Sequence, residues 1–120
     1  DDFGFGSFAA EKAVSPAQQL GEILSEGPAV GIHSLIWCDS GNSVHRFLSR
    51  QMLRDIELRV CFQMSDTDST GLIDSPAAGR LGPHRALLFD AEQGSLEKFR
   101  PYRPPPREWL DTVKRQLRRS

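Results

Sequence analysis

Asp66, Asp68, Thr70, Gly71 and Asp74 stand together in the stretch FQMSDTDSTGLIDSPA. Oxygen-bearing residues at loop positions one, three, five and nine, with glycine at six, give the ligand spacing of a helix–loop–helix calcium site. Position twelve, where such a loop places a bidentate glutamate, is Ala77. The run before Asp66, IELRVCFQM, is rich in β-branched and apolar residues and reads as a strand, where a calcium hand needs an entering helix. No second loop of this kind occurs in the chain. The surroundings argue against calcium and for another use of the same residues: a strand end at Ser65-Asp66-Thr67-Asp68-Ser69 whose short polar side chains cap a following helix.

Other chemistry-bearing residues are sparse. Cys38 and Cys61 each lie inside an apolar strand-like run, with no C-x-x-C pair and no histidine at ligand spacing. Buried reduced thiols are expected, with a disulfide or a catalytic cysteine as the alternatives. Phe3-Gly4-Phe5-Gly6 is not a phosphate loop, because it lacks a preceding strand, a following helix and a lysine. Arg46, Arg50 and Arg54 recur at i, i+4 and i+8, so on one helix they form a row that either faces phosphates or is an ordinary solvated face. The net charge of −1 hides an asymmetry: residues 100–120 hold seven Lys/Arg against Glu108 and Asp111, a balance of +5, leaving −6 on the first 99. A basic end suits nucleic acid or an acidic neighbour, or simply a solvated helix terminus.

The elements that must position these residues follow from pattern. At 120 residues and 38% hydrophobic composition, the chain suits one α/β domain with a modest core. It has no apolar run long enough to span a membrane, and its N-terminus is acidic and glycine-rich, so a soluble, cytoplasmic protein without a membrane segment is expected. Residues 1–14 read as a flexible lead-in. SPAQQLGEILSEGP predicts a helix with Ser15 as N-cap, Pro16 at the first position, Gln18 completing a capping box and Gly27-Pro28 ending it. Ala17, Leu20, Ile23 and Leu24 make its buried stripe. AVGIHSLIWCD reads as a buried central strand, and NSVHRFLSRQMLRD as a second helix with Val44, Phe47, Leu48 and Met52 inward. IELRVCFQM is a second buried strand, LIDSPAAGRLG a short helix and loop, and HRALLFD a third strand that AEQGS turns back into LEKFR as a hairpin. PYRPPP is an extended spacer. A terminal helix starts near Arg107, with Trp109, Leu110, Val113 and Leu117 on one side.

The ordered string of motifs resembles the C-terminal half of the RecA-like motor domain of FtsK/SpoIIIE-type DNA translocases, over about residues 15 to 103. The residues that carry it are Gly31-Ile32-His33, Arg59-Val60-Cys61-Phe62-Gln63-Met64-Ser65, Asp68-Ser69, Leu72-Ile73-Asp74 and Arg80-Leu81. The tail EQGSLEKFRPY is similar to a subgroup of bacterial ATP-binding proteins with an FtsK/SpoIIIE domain.

The resemblance implies a partial RecA-like three-layer sandwich with a mostly parallel sheet, a C-terminal β-hairpin and a terminal helix. Residues 15–103 would form half of the ATPase domain, and residues 104–120 a proline-rich spacer and basic helix. It further implies ATP and Mg2+ as cofactors, double-stranded DNA as partner, and a homo-oligomeric ring with nucleotide between subunits. The chain contains neither G-x-x-x-x-G-K-[ST] nor an apolar strand ending in Asp-Glu, so both are expected upstream of Asp1 and no hydrolysis is expected from this chain alone. Asp39 stands at the nucleotide-sensing position where the family has glutamine. In the inter-subunit segment Asp68-Ser69-Thr70, Thr70 replaces the family's arginine. Arg59, Arg80 and Arg85 are the candidate phosphate-facing or inter-subunit cations, and Arg46, Arg50 and Arg54 the candidate DNA contacts. The alternative is a degenerate, non-hydrolysing structural or assembly subunit that keeps the fold.

Overall fold

The computed structural model describes residues 14–119. The expected lead-in lies outside the described residues apart from Val14. The first helix, α1 (Pro16–Glu26), begins as its sequence dictates. The Ser15 hydroxyl accepts from the Gln18 amide at 3.2 Å and the Gln18 side chain accepts from the Ser15 amide at 3.1 Å. The two bonds close a reciprocal capping box over donors that the helix itself cannot satisfy. A short 3-10 turn, Gly27–Val30, ends at Gly31 in the left-handed region.

Residues 32–38 then run without regular structure and with no sheet partner among the described residues. The sequence predicts a buried central strand here, and the structure corrects it: Leu35 is 100% exposed and Trp37 83%. A continuous apolar run signals demand for a partner without supplying one.

The expected second helix is two. Helix α2 spans Gly41–Phe47 and α3 spans Arg50–Asp55. Between them Leu48 is extended and Ser49 caps α3 by accepting from the Met52 amide. The break turns Leu48 inward against Leu24 and Met52, while Phe47, expected to be inward, is exposed. It also splits the arginine row, leaving Arg46 on α2 and Arg50 and Arg54 on α3. All three side chains are exposed.

Strand β1 (Leu58–Cys61) leads into α4 (Asp66–Ile73), a 3-10 turn at Pro76–Arg80, β2 (Ala86–Asp90) and β3 (Ser95–Phe99). The sheet order is β1-β2-β3 and both pairings are antiparallel. The molecule is therefore mixed α/β with a three-stranded antiparallel sheet in place of the mostly parallel one expected. The reason is the path between β1 and β2: α4 and the 3-10 turn fold back so that the chain re-enters the sheet where it left, pairing Leu87 with Cys61. Gly82 and His84, both at positive φ, complete the reversal.

The expected hairpin is present. Its turn is organised by Asp90, whose Oδ1 accepts from the amides of Glu92 and Gln93 at 3.0 and 3.2 Å, with Gly94 at φ 64° closing it. Helix α5 (Arg107–Arg119) follows the proline-rich spacer and has no buried residue.

Two apolar clusters make the core. One gathers Cys61, Leu72, Ile73, Ala78, Leu81 and Leu87 under one face of the sheet, the other Leu24, Leu48 and Met52 between α1 and α3. Val44 packs against both.

Candidate functional site

The carboxyl end of β1 brings together segments that are far apart in sequence. Gln63, two residues past the strand, donates from Nε2 to the Gly79 carbonyl at 2.7 Å and accepts from the Gly82 amide at Oε1 at 2.8 Å. This one side chain ties the end of β1 to the 3-10 turn and to the start of the return path. Ser65 caps α4, accepting from the Asp68 amide at 3.1 Å. Asp66 and Asp68 thus sit in the first turn of α4, where the helix dipole favours carboxylates.

Both carboxylates lean on glycines. A Cβ at Gly41, the first residue of α2, would lie 2.7 Å from the Asp68 carboxylate, and a Cβ at Gly79 would overlap that of Asp66. Glycine is required at each place so that backbone and carboxylate can approach. The contacts join α4 to α2 on one side and to the 3-10 turn on the other. His45 of α2 also lies beside Gly71 of α4.

Asp39 and Ser40 precede α2. Ser40 caps it by accepting from the Ser43 amide, and the Ser43 hydroxyl donates to Asp39 Oδ1 at 2.7 Å. The Ser43 hydrogen bond holds the Asp39 carboxyl below the ordinary aspartate range, outweighing a slight desolvation, with lesser help from Ser40 and from its own backbone. Asp39 is therefore an ionised, solvent-facing carboxylate near neutral pH.

Beneath this end, Ser69 is fully buried. Its hydroxyl donates to the Ser75 carbonyl and accepts from the Ala78 amide at 3.1 Å, so it fastens α4 to the 3-10 turn from inside. Thr70 bonds back to the Asp66 carbonyl within α4 at 2.8 Å. These helical positions exclude the calcium-loop geometry, and among the described residues no group of three or more His, Cys, Asp or Glu is arranged to hold a metal.

The three candidate cations have different surroundings. Arg59 is half-buried and its guanidinium donates to three backbone carbonyls: Ile56 at 3.1 Å, Leu72 at 2.6 Å and Leu53 at 2.5 Å. It also lies 5.8 Å from the Phe89 ring centroid. Arg59 is a clip that joins α3, β1 and α4, using three of its five donors on the fold itself. Arg85 donates to the neighbouring His84 carbonyl. Arg80 adjoins the Gly79–Asp66 contact and is exposed, which makes it the freest of the three to meet an outside anion.

Cys61 is buried, and burial pushes its thiol up against a smaller opposing pull from Arg59. Cys38 is half-buried, and both thiols are free.

Carboxylates thus outnumber cations at this end of the sheet, and among the described residues no glycine-rich loop there cradles a triphosphate. The described residues do not by themselves fit ATP and Mg2+. What the arrangement does is lock four motif segments, around Asp39, Gln63, Asp68 and Arg80, into one surface. Gln63 stands inside the motif string, but its sequence context does not announce its bonds to Gly79 and Gly82, nor the close approaches at Gly41 and Gly79; Arg59, a candidate phosphate-facing or inter-subunit cation, directs three donors to backbone carbonyls. Ser65-x-x-Asp68 does carry a readable helix-start signal. No family model, curated protein or solved structure matches this chain. Among the described residues no helix is long and apolar enough to cross a membrane.

Proposed function

We propose that this chain is the C-terminal half of the ATPase domain of an ATP-dependent double-stranded DNA translocase, working as a homo-oligomer in the cytoplasm. In the intact protein ATP and Mg2+ would be held by a phosphate loop outside these residues. The observation that carries the reading is the convergence of the motif-bearing segments. Gly31 to Asp39, Arg59 to Ser65, Asp66 to Asp74 and Arg80-Leu81 follow the order of the resembling family; Gly41, two residues past the first segment, lies against Asp68 at the start of the third, and Gln63 of the second bonds to the 3-10 turn and to Gly82. Such a surface suits contact with a nucleotide site or neighbouring subunit, with Arg80 and Arg85 as its cations and, in the inter-subunit segment Asp68-Ser69-Thr70, Asp68 and Thr70 as the residues that reach the surface while Ser69 anchors the segment from inside.

Arg46, Arg50 and Arg54, exposed on α2 and α3, are the proposed DNA contacts. Replacing all three by alanine should weaken duplex binding equally across sequences. The slope of log affinity against log salt should fall by roughly 0.9 for each phosphate the protein no longer neutralises. An unchanged slope in fluorescence anisotropy would remove DNA from these residues.

Asp39 favours a second reading. A fixed, ionised carboxylate where the family places a neutral glutamine repels a γ-phosphate, as a non-hydrolysing assembly subunit could tolerate. Duplex-stimulated ATP turnover by the full-length protein supports the motor and excludes the degenerate subunit, whereas nucleotide binding without turnover does the reverse.

A further inference from the structure

The three-stranded sheet has one covered face and one that is open over most of its length. Side chains alternate along a strand and paired residues share a face, so the register puts Leu58 with Asp90, and Val60 with Leu88 and Glu97, on the side opposite Cys61 and Leu87; Ala86, on the same side at the start of β2, is buried and closes that end. Leu58 is 62% exposed and Val60 51%. These residues make an apolar patch that carries two carboxylates, Asp90 and Glu97, and no cation.

A second open apolar surface lies on α5. Trp109, Leu110 and Val113 occupy one arc of the helix, and Trp109 is 56% exposed. Lys114 follows Leu110 by four residues and so flanks that arc, while Arg107, Arg115, Arg118 and Arg119 outnumber Glu108 and Asp111 over the rest of the helix.

We propose that α5 of one copy of this chain docks on the open sheet face of a second copy. Helix on sheet is a standard way for a single-faced antiparallel sheet to bury its second side, and the charges match, with Lys114 and Arg107 set to meet Asp90 and Glu97. Arg100 to Pro106, with prolines at 101, 104, 105 and 106, is a semi-rigid spacer of about 20 Å when extended. It carries α5 away from its own sheet and so favours exchange between copies over folding back.

Two other uncovered surfaces fit α5 less well. The groove lined by Pro76, Arg80, Leu81 and Lys98 is cationic and repels it. The exposed segment 32–38 has no regular structure and so offers no strand or helix face on which α5 could pack. The inference goes beyond the translocase reading and does not depend on nucleotide or DNA.

Light scattering on the full chain across a wide concentration range tests it with two variants, Trp109→Asp/Leu110→Asp on the helix and Leu58→Lys/Val60→Lys on the sheet. The helix residues are exposed, so that variant keeps its fold, which circular dichroism verifies. The wild type should self-associate, and each variant should lose at least about tenfold in association constant, as expected when central aromatic and aliphatic anchors are removed. Mixing the two variants should restore a dimer, because one intact helix and one intact sheet remain. A wild type that stays monomeric overturns the proposal, as does a mixture that stays monomeric while both variants are folded. A monomer whose α5 binds anionic vesicles or duplex DNA overturns it in favour of a lipid or nucleic-acid surface.

Discussion

The two faces of one small sheet differ sharply along β1. On the covered face Cys61 and Leu87 pack with Leu72, Ile73 and Ala78, and Arg59 directs its donors to neighbouring carbonyls. On the other face, a residue away along the same strands, Leu58 and Val60 meet solvent. Strand chemistry is the same on both sides, so composition does not set the difference. What sets it is which side the α4 return path crosses, and Gln63 fastens that path to the covered side.

The contrast can be broken at its strongest point by truncation. Leu87→Ala should cost about 2–5 kcal/mol because it empties a closed core, whereas Val60→Ala, on the open face of the adjacent strand, should stay within about 0.5 kcal/mol when the protein is dilute enough to be monomeric. Chemical denaturation of the two variants at high dilution measures both, and equal losses there would mean that the outer face is covered within a single copy. A smaller effect sharpens the origin of the closed side. Gly79→Ala drives a methyl into the Asp66 carboxylate and should destabilise by about 1–3 kcal/mol. Adding Asp66→Ala should recover part of that loss, since the two sites touch and their effects do not add. No recovery would place the strain in the backbone of the 3-10 turn.

The smallest effect concerns Asp39. Its folded-state pKa is depressed, chiefly by Ser43, so its contribution is fully present above the ordinary aspartate value and is lost as the pH falls through the lower folded one. The loss follows because the unfolded chain takes up the proton first. Asp39→Asn should remove this contribution, lowering stability slightly near neutrality, flattening the acid limb and leaving stability at low pH unchanged. A change in the slope of the curve near neutral pH would show that the carboxylate interacts with a group other than the serine hydroxyls.

Local signals are legible in the sequence. Ser15, Pro16 and Gln18 set the start of α1 within four residues, Asp90 and Gly94 set the hairpin turn, and the spacing of Trp109, Leu110 and Val113 set α5. Partner-dependent features are not. Helical periodicity carries through Leu48 and Ser49, so the break between α2 and α3 emerges only from Leu48 packing on Leu24 and from the Ser49 cap. The antiparallel order rests on Gln63 meeting Gly79 and Gly82, sixteen and nineteen residues away. The run from Ile32 to Trp37 announces its appetite for burial and nothing about what satisfies it. In the candidate site, Asp39 and Asp68 are visible as unusual residues, but the glycines that let the Asp66 and Asp68 carboxylates lie close carry no pattern of their own.

The two free thiols give the chain a built-in stopwatch. Thiol labelling follows access and thiolate fraction. Cys38, half-buried at the end of the unpaired stretch, reacts on the timescale of the reagent. Cys61 is sealed beneath the sheet with its ionisation suppressed, so it waits for the core to open. The interval between the two modifications, read in a single tube by mass, times how often the closed side of this molecule breathes, with the other cysteine as its zero.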